Sequence, residues 1–251
     1  MTDRISAFRK LHEAGCFVIP NPWDAGSARR LAAKGFQALA STSAGAAWAL
    51  GKQDGEMTLD ECLANLRLLC EATDLPVNAD FEAGFADAPD GVAANVTRAL
   101  ETGVAGLSIE DRTGKSLYPL DLAVERMRAA RAAIDRVGSG ALLVGRTEGY
   151  LIGQRDIGAA IARMRAYSDA GADVLFAPGI GDIAEIAQLV AAVAPKPVNV
   201  GIFSTQASVD DLAAAGVRRI STGGGLAAAA WKAFDAVTDM LLEQGRLPPR
   251  Q

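Results

Sequence analysis

Eight times along this chain a short apolar, often β-branched stretch is followed by a helical pattern, and that repetition limits the available folds more than any other feature. Strands are expected at residues 16–20, 37–41, 77–80, 106–110, 142–146, 173–177, 198–201 and 218–222. Helices are expected at 25–34, 59–73, 91–102, 120–137, 156–170, 183–193, 208–215 and 226–244, after an opening helix. Several of them end at a glycine (Gly35, Gly103, Gly171, Gly216), where a left-handed C-cap needs one. This alternation builds a parallel sheet. Eight units, without a Gly-x-Gly-x-x-Gly turn after the first strand, favour a closed (β/α)8 TIM barrel over an open doubly wound sheet. The 251 residues suit one such barrel, so residues 1–251 are read as a single domain with no linker and a loosely held tail from Leu247 to Gln251.

Composition narrows the partners. A net charge of −5 with no dense block of Lys or Arg argues against a grip on nucleic acid or an anionic membrane. No apolar run approaches the roughly 20 residues of a membrane span. Met1-Thr2-Asp3-Arg4 leads into a helical pattern rather than a signal peptide, so a cytoplasmic protein acting on a small molecule is expected. Cys16, Cys62 and Cys70 lie in apolar stretches without metal-ligand spacing and read as buried structural thiols. The one histidine, His12, is expected at the surface of the first helix, which leaves no histidine for general-base chemistry.

A barrel keeps its active site at the C-terminal ends of its strands, and polar residues collect there. Asn21, Trp23 and Asp24 follow the first strand, and Ser41-Thr42-Ser43 the second. Asn78, Asp80 and Glu82 end the third, Glu110-Asp111 the fourth, Arg146 and Glu148 the fifth, and Asn199 and Thr222-Gly223-Gly224-Gly225 the last two. Asn78, Asp80 and Glu82 would point to one side if the extended backbone persists. Such a row suits a hard cation such as Mg2+; alternatively the acids cap the helix near Asp90 or face solvent. Gathered acids repel one another unless one is protonated or a cation intervenes, and the Arg146 fork fits a carboxylate or phosphonate. A rim network with Arg146 and Arg112 remains the structural alternative for Glu110 and Asp111. The Ser41–Ser43 segment is either a turn or an oxyanion site. Thr222–Gly225 is either a phosphate cup or a close-packing device. The loop from Ala46 to Thr58, with glycines flanking Asp54, reads as a lid.

Taken in order, Asn21-Pro22-Trp23-Asp24-Ala25-Gly26-Ser27-Ala28-Arg29, Gly51–Glu56, Asn78-Ala79-Asp80, Ser108-Ile109-Glu110-Asp111 and Gly145-Arg146-Thr147-Glu148 resemble the isocitrate lyase and phosphoenolpyruvate mutase superfamily. The resemblance implies a barrel whose last helix is exchanged with a neighbouring subunit in a homodimer or homotetramer. It also implies a Mg2+ ion, or Mn2+ in its place, that binds a small α-oxo acid or phosphonate and its enolate. Carried over by position, Asp80 and Glu110 belong to the metal shell, Ser41, Thr42 and Ser43 to the carboxylate loop, Arg146 to the substrate and Asp54 to the gate. Asn78 stands where the family usually has a metal-binding aspartate; its carbonyl oxygen, or Glu82, would have to compensate. Arg112 to Pro119 carries no Lys-Lys-Cys-Gly-His sequence, which argues against cysteine-dependent isocitrate cleavage. Trp23 and Asn199 complete the expected substrate contacts, with Asp54, Arg146 and Glu110 as catalytic candidates. Tyr150 and Lys115 are the candidate proton donors. An enzyme that cleaves or rearranges a C–C or C–P bond of a small α-oxo acid through an enolate, by oxaloacetate decarboxylase- or hydrolase-like or phosphonopyruvate-type chemistry, is thus expected, against a phosphate-binding isomerase or a non-catalytic relative with a degenerate metal site.

Overall fold

In the computed structural model, which describes residues 2–248, the parallel strands are β1 (Phe17–Ile19), β2 (Leu39–Ala40), β3 (Val77–Asp80) and β4 (Gly106–Glu110). After a small antiparallel hairpin of β5 (Arg112–Thr113) and β6 (Ser116–Leu117) come β7 (Leu142–Arg146), β8 (Val174–Phe176), β9 (Val198–Gly201) and β10 (Arg219–Ser221). They form one eight-stranded sheet in the order β1-β10-β9-β8-β7-β4-β3-β2. Its two ends meet through the Ala40 N–H, which donates to the Pro20 carbonyl at 3.1 Å. The expected (β/α)8 barrel is the fold found.

The helices are α1 (Thr2–Leu11), α2 (Ala25–Ala33), α3 (Ser43–Ala49), α4 (Leu59–Ala72) and α5 (Pro89–Leu100), then α6 (Leu120–Val137), α7 (Ile157–Asp169), α8 (Ile183–Val193), α9 (Val209–Ala214) and α10 (Gly225–Gln244). Side chains alternate across each strand, so the sheet serves two cores. Leu39, Val77, Ala79, Leu107, Ile109, Leu143, Leu175 and Ile220 face the helices. Ala38, Ala40, Leu142, Val144, Val174 and Phe176 fill the bore with Ile5 and Phe8 of α1. Phe8 closes the N-terminal end of the bore: a Cβ on Gly106 would stand 3.0 Å from its ring and 3.0 Å from Asn78 Oδ1. A plug at the bottom leaves the C-terminal mouth as the open end.

Several expectations need correction. His12 is buried rather than exposed, held by a 2.8 Å contact from Nδ1 to the Phe8 carbonyl and by edge-on packing with Phe8 and Phe17. Burial, with Arg219 nearby, pushes its pKa down to about 3, so it stays neutral. Cys62 and Cys70 are buried, but Cys16 is only half-buried. The long loop after β2 is partly helical: Thr42 accepts from the Gly45 N–H and caps α3, which leaves a shorter lid. The hairpin β5–β6 falls where no element was expected, because its two-residue strands are too short for periodicity to register. Of the expected loose tail, residues 249–251 lie outside the described part.

Candidate active site

The acidic stretch after β3 does not stay extended. Glu82 takes φ +46 and Phe85 φ +55, a left-handed conformation uncommon for such residues and one that accumulates near functional sites. Asp80 and Glu82 therefore do not share a row by strand alternation. Neither caps the following helix, since Ala88 precedes α5 as its N-cap and no side chain caps that end. The turn nevertheless returns Glu82 to the mouth, where its carbonyl accepts from the Glu110 N–H at 3.0 Å. Glu82 lines one cavity with Ser43, Asp54, Glu110, Arg146 and Glu148.

Arg146 sits at the centre of these acids. Its Nη1 lies 3.0 Å from Asp80 Oδ1, its Nη2 3.3 Å from Glu110 Oε2 and its Nε 2.6 Å from Glu148 Oε1. Burial alone would lower its pKa, but Glu148, Glu110 and Asp80 outweigh it and hold the guanidinium well above its usual value. Burial raises Glu110 well above the carboxylate range, against the pull of Arg146. Burial and then Asp80 raise Glu82 to about 7, and the same two causes raise Asp54. Closely spaced carboxylates in low dielectric cannot all ionise freely.

Asp80 is the best anchored acid. Its Oδ2 accepts from Ser43 N at 2.9 Å and Ser43 Oγ at 2.8 Å, and its own N–H donates to Ser41 Oγ at 2.7 Å. Asp54, exposed on the lid, brings Oδ1 to 3.5 Å from Ser43 Oγ. The second cavity, of about 200 Å3, runs down the bore and is lined by Ser41, Thr42, Ser43, Asp54, Asp80 and Arg146, with Asn78, Asn199 and Arg219 deeper.

Trp23 is not brought to this cavity; it packs against Gly45, where an added Cβ would stand 3.1 Å from its Cβ. Asn78 turns into the bore: its Nδ2 donates to the Ala79 carbonyl at 3.0 Å and its Oδ1 faces Arg219 Nη1 at 3.4 Å. At Thr222–Gly225 three of the four backbone amides that a phosphate cup would use are already spent, Gly225 N on the Thr222 carbonyl at 3.0 Å. Asn21 Oδ1 already accepts from Thr222 N and Gly223 N, at 2.8 and 2.9 Å. Gly224 packs on Trp48, with 3.1 Å from an added Cβ to its ring. Tyr150 lines a neighbouring open groove of about 1290 Å3, its hydroxyl pushed up to about 12 by burial and by Glu185. Lys115 is exposed on the hairpin.

Two residues that the sequence named without their present roles, and one that it did not name, are of consequence here. Glu148 is 1% exposed; Asp111 Oδ1 accepts from its N–H at 2.9 Å. Asp111 Oδ2 in turn accepts from Tyr167 Oη at 2.6 Å, Thr147 Oγ1 at 2.7 Å and Arg163 Nη1 at 3.1 Å. Asp111 is thus a buried support beneath Glu148, not a rim acid. Arg219 was hidden in an ordinary-looking strand; its parity with Ser221, two residues on, is the signal that places both in the bore.

As they stand, no three His, Cys, Asp or Glu side chains among the described residues form a metal cage, because the Arg146 fork lies among the carboxylates. The donor chemistry nevertheless suits a hard divalent ion: all the donors are carboxylate oxygens, and Glu82 Oε1 is buried without a hydrogen-bond partner.

A family model described as phosphoenolpyruvate phosphomutase matches residues 8–242. The chain belongs to this family. A curated relative, the oxaloacetate decarboxylase of Chromohalobacter salexigens, is 32% identical over 93% of this chain and 82% of its own length. A solved structure from Burkholderia cenocepacia J2315, described as a lyase/mutase, has 47% identity, a TM-score of 0.95 and coverage of 98% of this chain and 91% of that one. Oxaloacetate acetylhydrolase, solved with its product oxalate, has 28% identity, a TM-score of 0.91 and coverage of 99% and 90%. The family therefore holds lyases and mutases that act on small acids. Among the described residues no helix is long and apolar enough to cross a membrane.

Proposed function

We propose that the protein is a divalent-metal enzyme that breaks a C–C bond of a small α-oxo acid, with oxaloacetate-type decarboxylation, at the bond from the carbon beside the oxo group to the distal carboxylate, or hydrolysis, at the bond to the oxo carbon itself, as the reaction class. The observation that carries this reading is Arg146, ion-paired with Asp80, Glu110 and Glu148 at the mouth of a cavity whose other wall is Ser41–Ser43. Asp80, Glu82 and Glu110 would hold Mg2+ or Mn2+, and the bound ion supplies Lewis-acid polarisation of the oxo group. Asn78 contributes from the bore rather than to that shell.

This chain's own residues then have separate tasks. Arg146 and the Ser41–Ser43 segment bind the oxo-acid carboxylate and stabilise the negative charge that gathers as the bond breaks and its electron pair passes into the enolate. Asp54 closes the lid over the mouth and excludes bulk water. Its pKa, raised by burial and by Asp80, also makes it a candidate to hand a proton to the enolate carbon. Phosphonopyruvate chemistry uses the same groups and is the second reaction class to assay. The relative that acts on oxaloacetate favours the first. Steady-state assays with Mg2+ on oxaloacetate, phosphonopyruvate and 2-methylisocitrate test the proposal. Turnover of oxaloacetate that disappears in the Arg146→Met variant supports it, and inactivity on all three refutes it.

The exposed apolar side of α10 supports exchange of this helix in a homo-oligomer. Only Ala227 of the helix is buried, while Trp231, Phe234 at 58% and Leu242 at 84% exposure face outward. Apolar surface of this kind marks an interface.

A further inference from the structure

The floor of the bore carries a cation that the proposed chemistry does not use. Arg219, 3% exposed, projects inward from β10 and lines the same 200 Å3 cavity as Arg146. Its Nε donates to Asn199 Oδ1 at 2.9 Å and its Nη1 faces Asn78 Oδ1 at 3.4 Å. Both partners are neutral amides, and Arg219 forms no ion pair among the described residues. Arg126, the other buried arginine, is different: its guanidinium is spent on the Ala83, Ala86 and Asp87 carbonyls, and it does not line the cavity that Arg219 lines. Arg146, unlike Arg219, is ion-paired with three carboxylates.

A buried guanidinium without a counter-charge is costly, and arginine keeps its charge. Ser221, which also lines this part of the cavity, accepts from Asn199 Nδ2 and keeps its own hydroxyl proton to donate, whereas Ser108 gives its proton to the Ala79 carbonyl at 3.2 Å. The net field at the floor is positive, whereas the mouth is dominated by acids. An anion that enters past Arg146 therefore meets a second cation one layer deeper in the barrel.

We propose that Arg219 binds a second anionic group of the substrate, the distal carboxylate of a dicarboxylic oxo acid, and so selects dicarboxylates over monocarboxylates. This rests on the oxo-acid reading above and assigns the residue that would read the second carboxylate. Asn199 acts as a positioning residue, since its Oδ1 holds Nε of Arg219 and its Nδ2 donates to Ser221 Oγ at 3.0 Å.

The test is calorimetric titration, in Mg2+, of the wild-type protein, Arg219→Gln and Arg219→Lys with pyruvate and with 3,3-difluorooxaloacetate, one and two carboxylates respectively. Loss of a charged, bidentate contact is worth roughly tenfold to a hundredfold in affinity. Arg219→Gln should lose that much on the dicarboxylate and less than about threefold on pyruvate, while Arg219→Lys recovers part of the loss. A structural role would weaken both ligands alike; that result, or unchanged dicarboxylate binding in a folded variant, overturns the proposal. If Arg219→Gln does not fold, Arg219→Lys decides, because the lost fork should still weaken the dicarboxylate selectively. Wild-type protein that binds pyruvate but shows no preference for the dicarboxylate overturns the role of Arg219 and leaves the oxo-acid reading intact. Wild-type protein that binds neither overturns both.

Discussion

Replacing Glu82 by Gln isolates the cost of ionising a carboxyl that the fold has buried beside another acid. Its pKa rises from 4.5 to about 7, first from burial and then from repulsion by Asp80. The folded state therefore holds this proton more tightly than the unfolded chain. The resulting stability is fully present below pH 4.5 and is lost as pH rises towards 7, after which the curve flattens. Integrated between pH 5 and pH 8, a shift of that size corresponds to roughly 2.5 kcal/mol of lost stability. Because Glu82 is only partly buried, solvent screening leaves about half of that, on the order of 1 kcal/mol. Glu82→Gln has no proton to lose, so in metal-free buffer it should gain about 1 kcal/mol over wild type on going from pH 5 to pH 8. Urea unfolding followed by circular dichroism at several pH values gives this difference directly. Addition of Mg2+ should shrink or reverse it, since a cation held by Glu82 stabilises the ionised wild-type carboxylate. A difference between the two proteins that does not vary with pH would refute the reasoning.

Two further perturbations test the support beneath the site and the surface around it. Asp111→Asn leaves the mouth untouched but removes the charge that receives Tyr167, Thr147, Arg163 and the Glu148 N–H. It should cost about 3 kcal/mol and lower Tm by several degrees in calorimetry, with kcat falling because Glu148 loses its mooring. Phe234→Asp places a charge on the exposed apolar side of α10; light scattering after size exclusion should show a smaller assembly than the wild type. An unchanged mass would remove that face from the interface.

What was legible in the sequence depended on range. The strands 77–80, 106–110, 142–146 and 198–201 and the helices 120–137 and 183–193 appear where periodicity placed them, because burial on two faces leaves a strong local pattern. Arg146 was legible too, as a cation at a strand end among acids. Trp23 was misplaced because its position in a recognisable run did not fix where the turn sets it; its Cβ lies beside Gly45 and it does not line the cavity. His12 illustrates the same limit: a polar helix suggested solvent, and the bottom of the barrel buried it.

The sequence alone determined the eight-fold βα repeat, the acidic and seryl strand ends and the single arginine among them, since each is a matter of residue type at local spacing. Only the tertiary structure decided that Asn21 consumes the amides after β10, that Glu82 rejoins Asp80 through a left-handed turn, and that Asn78 faces Arg219 across the bore. Those outcomes depend on which strands the closed barrel sets opposite one another, and residues 141 positions apart in the chain carry no local signal of meeting.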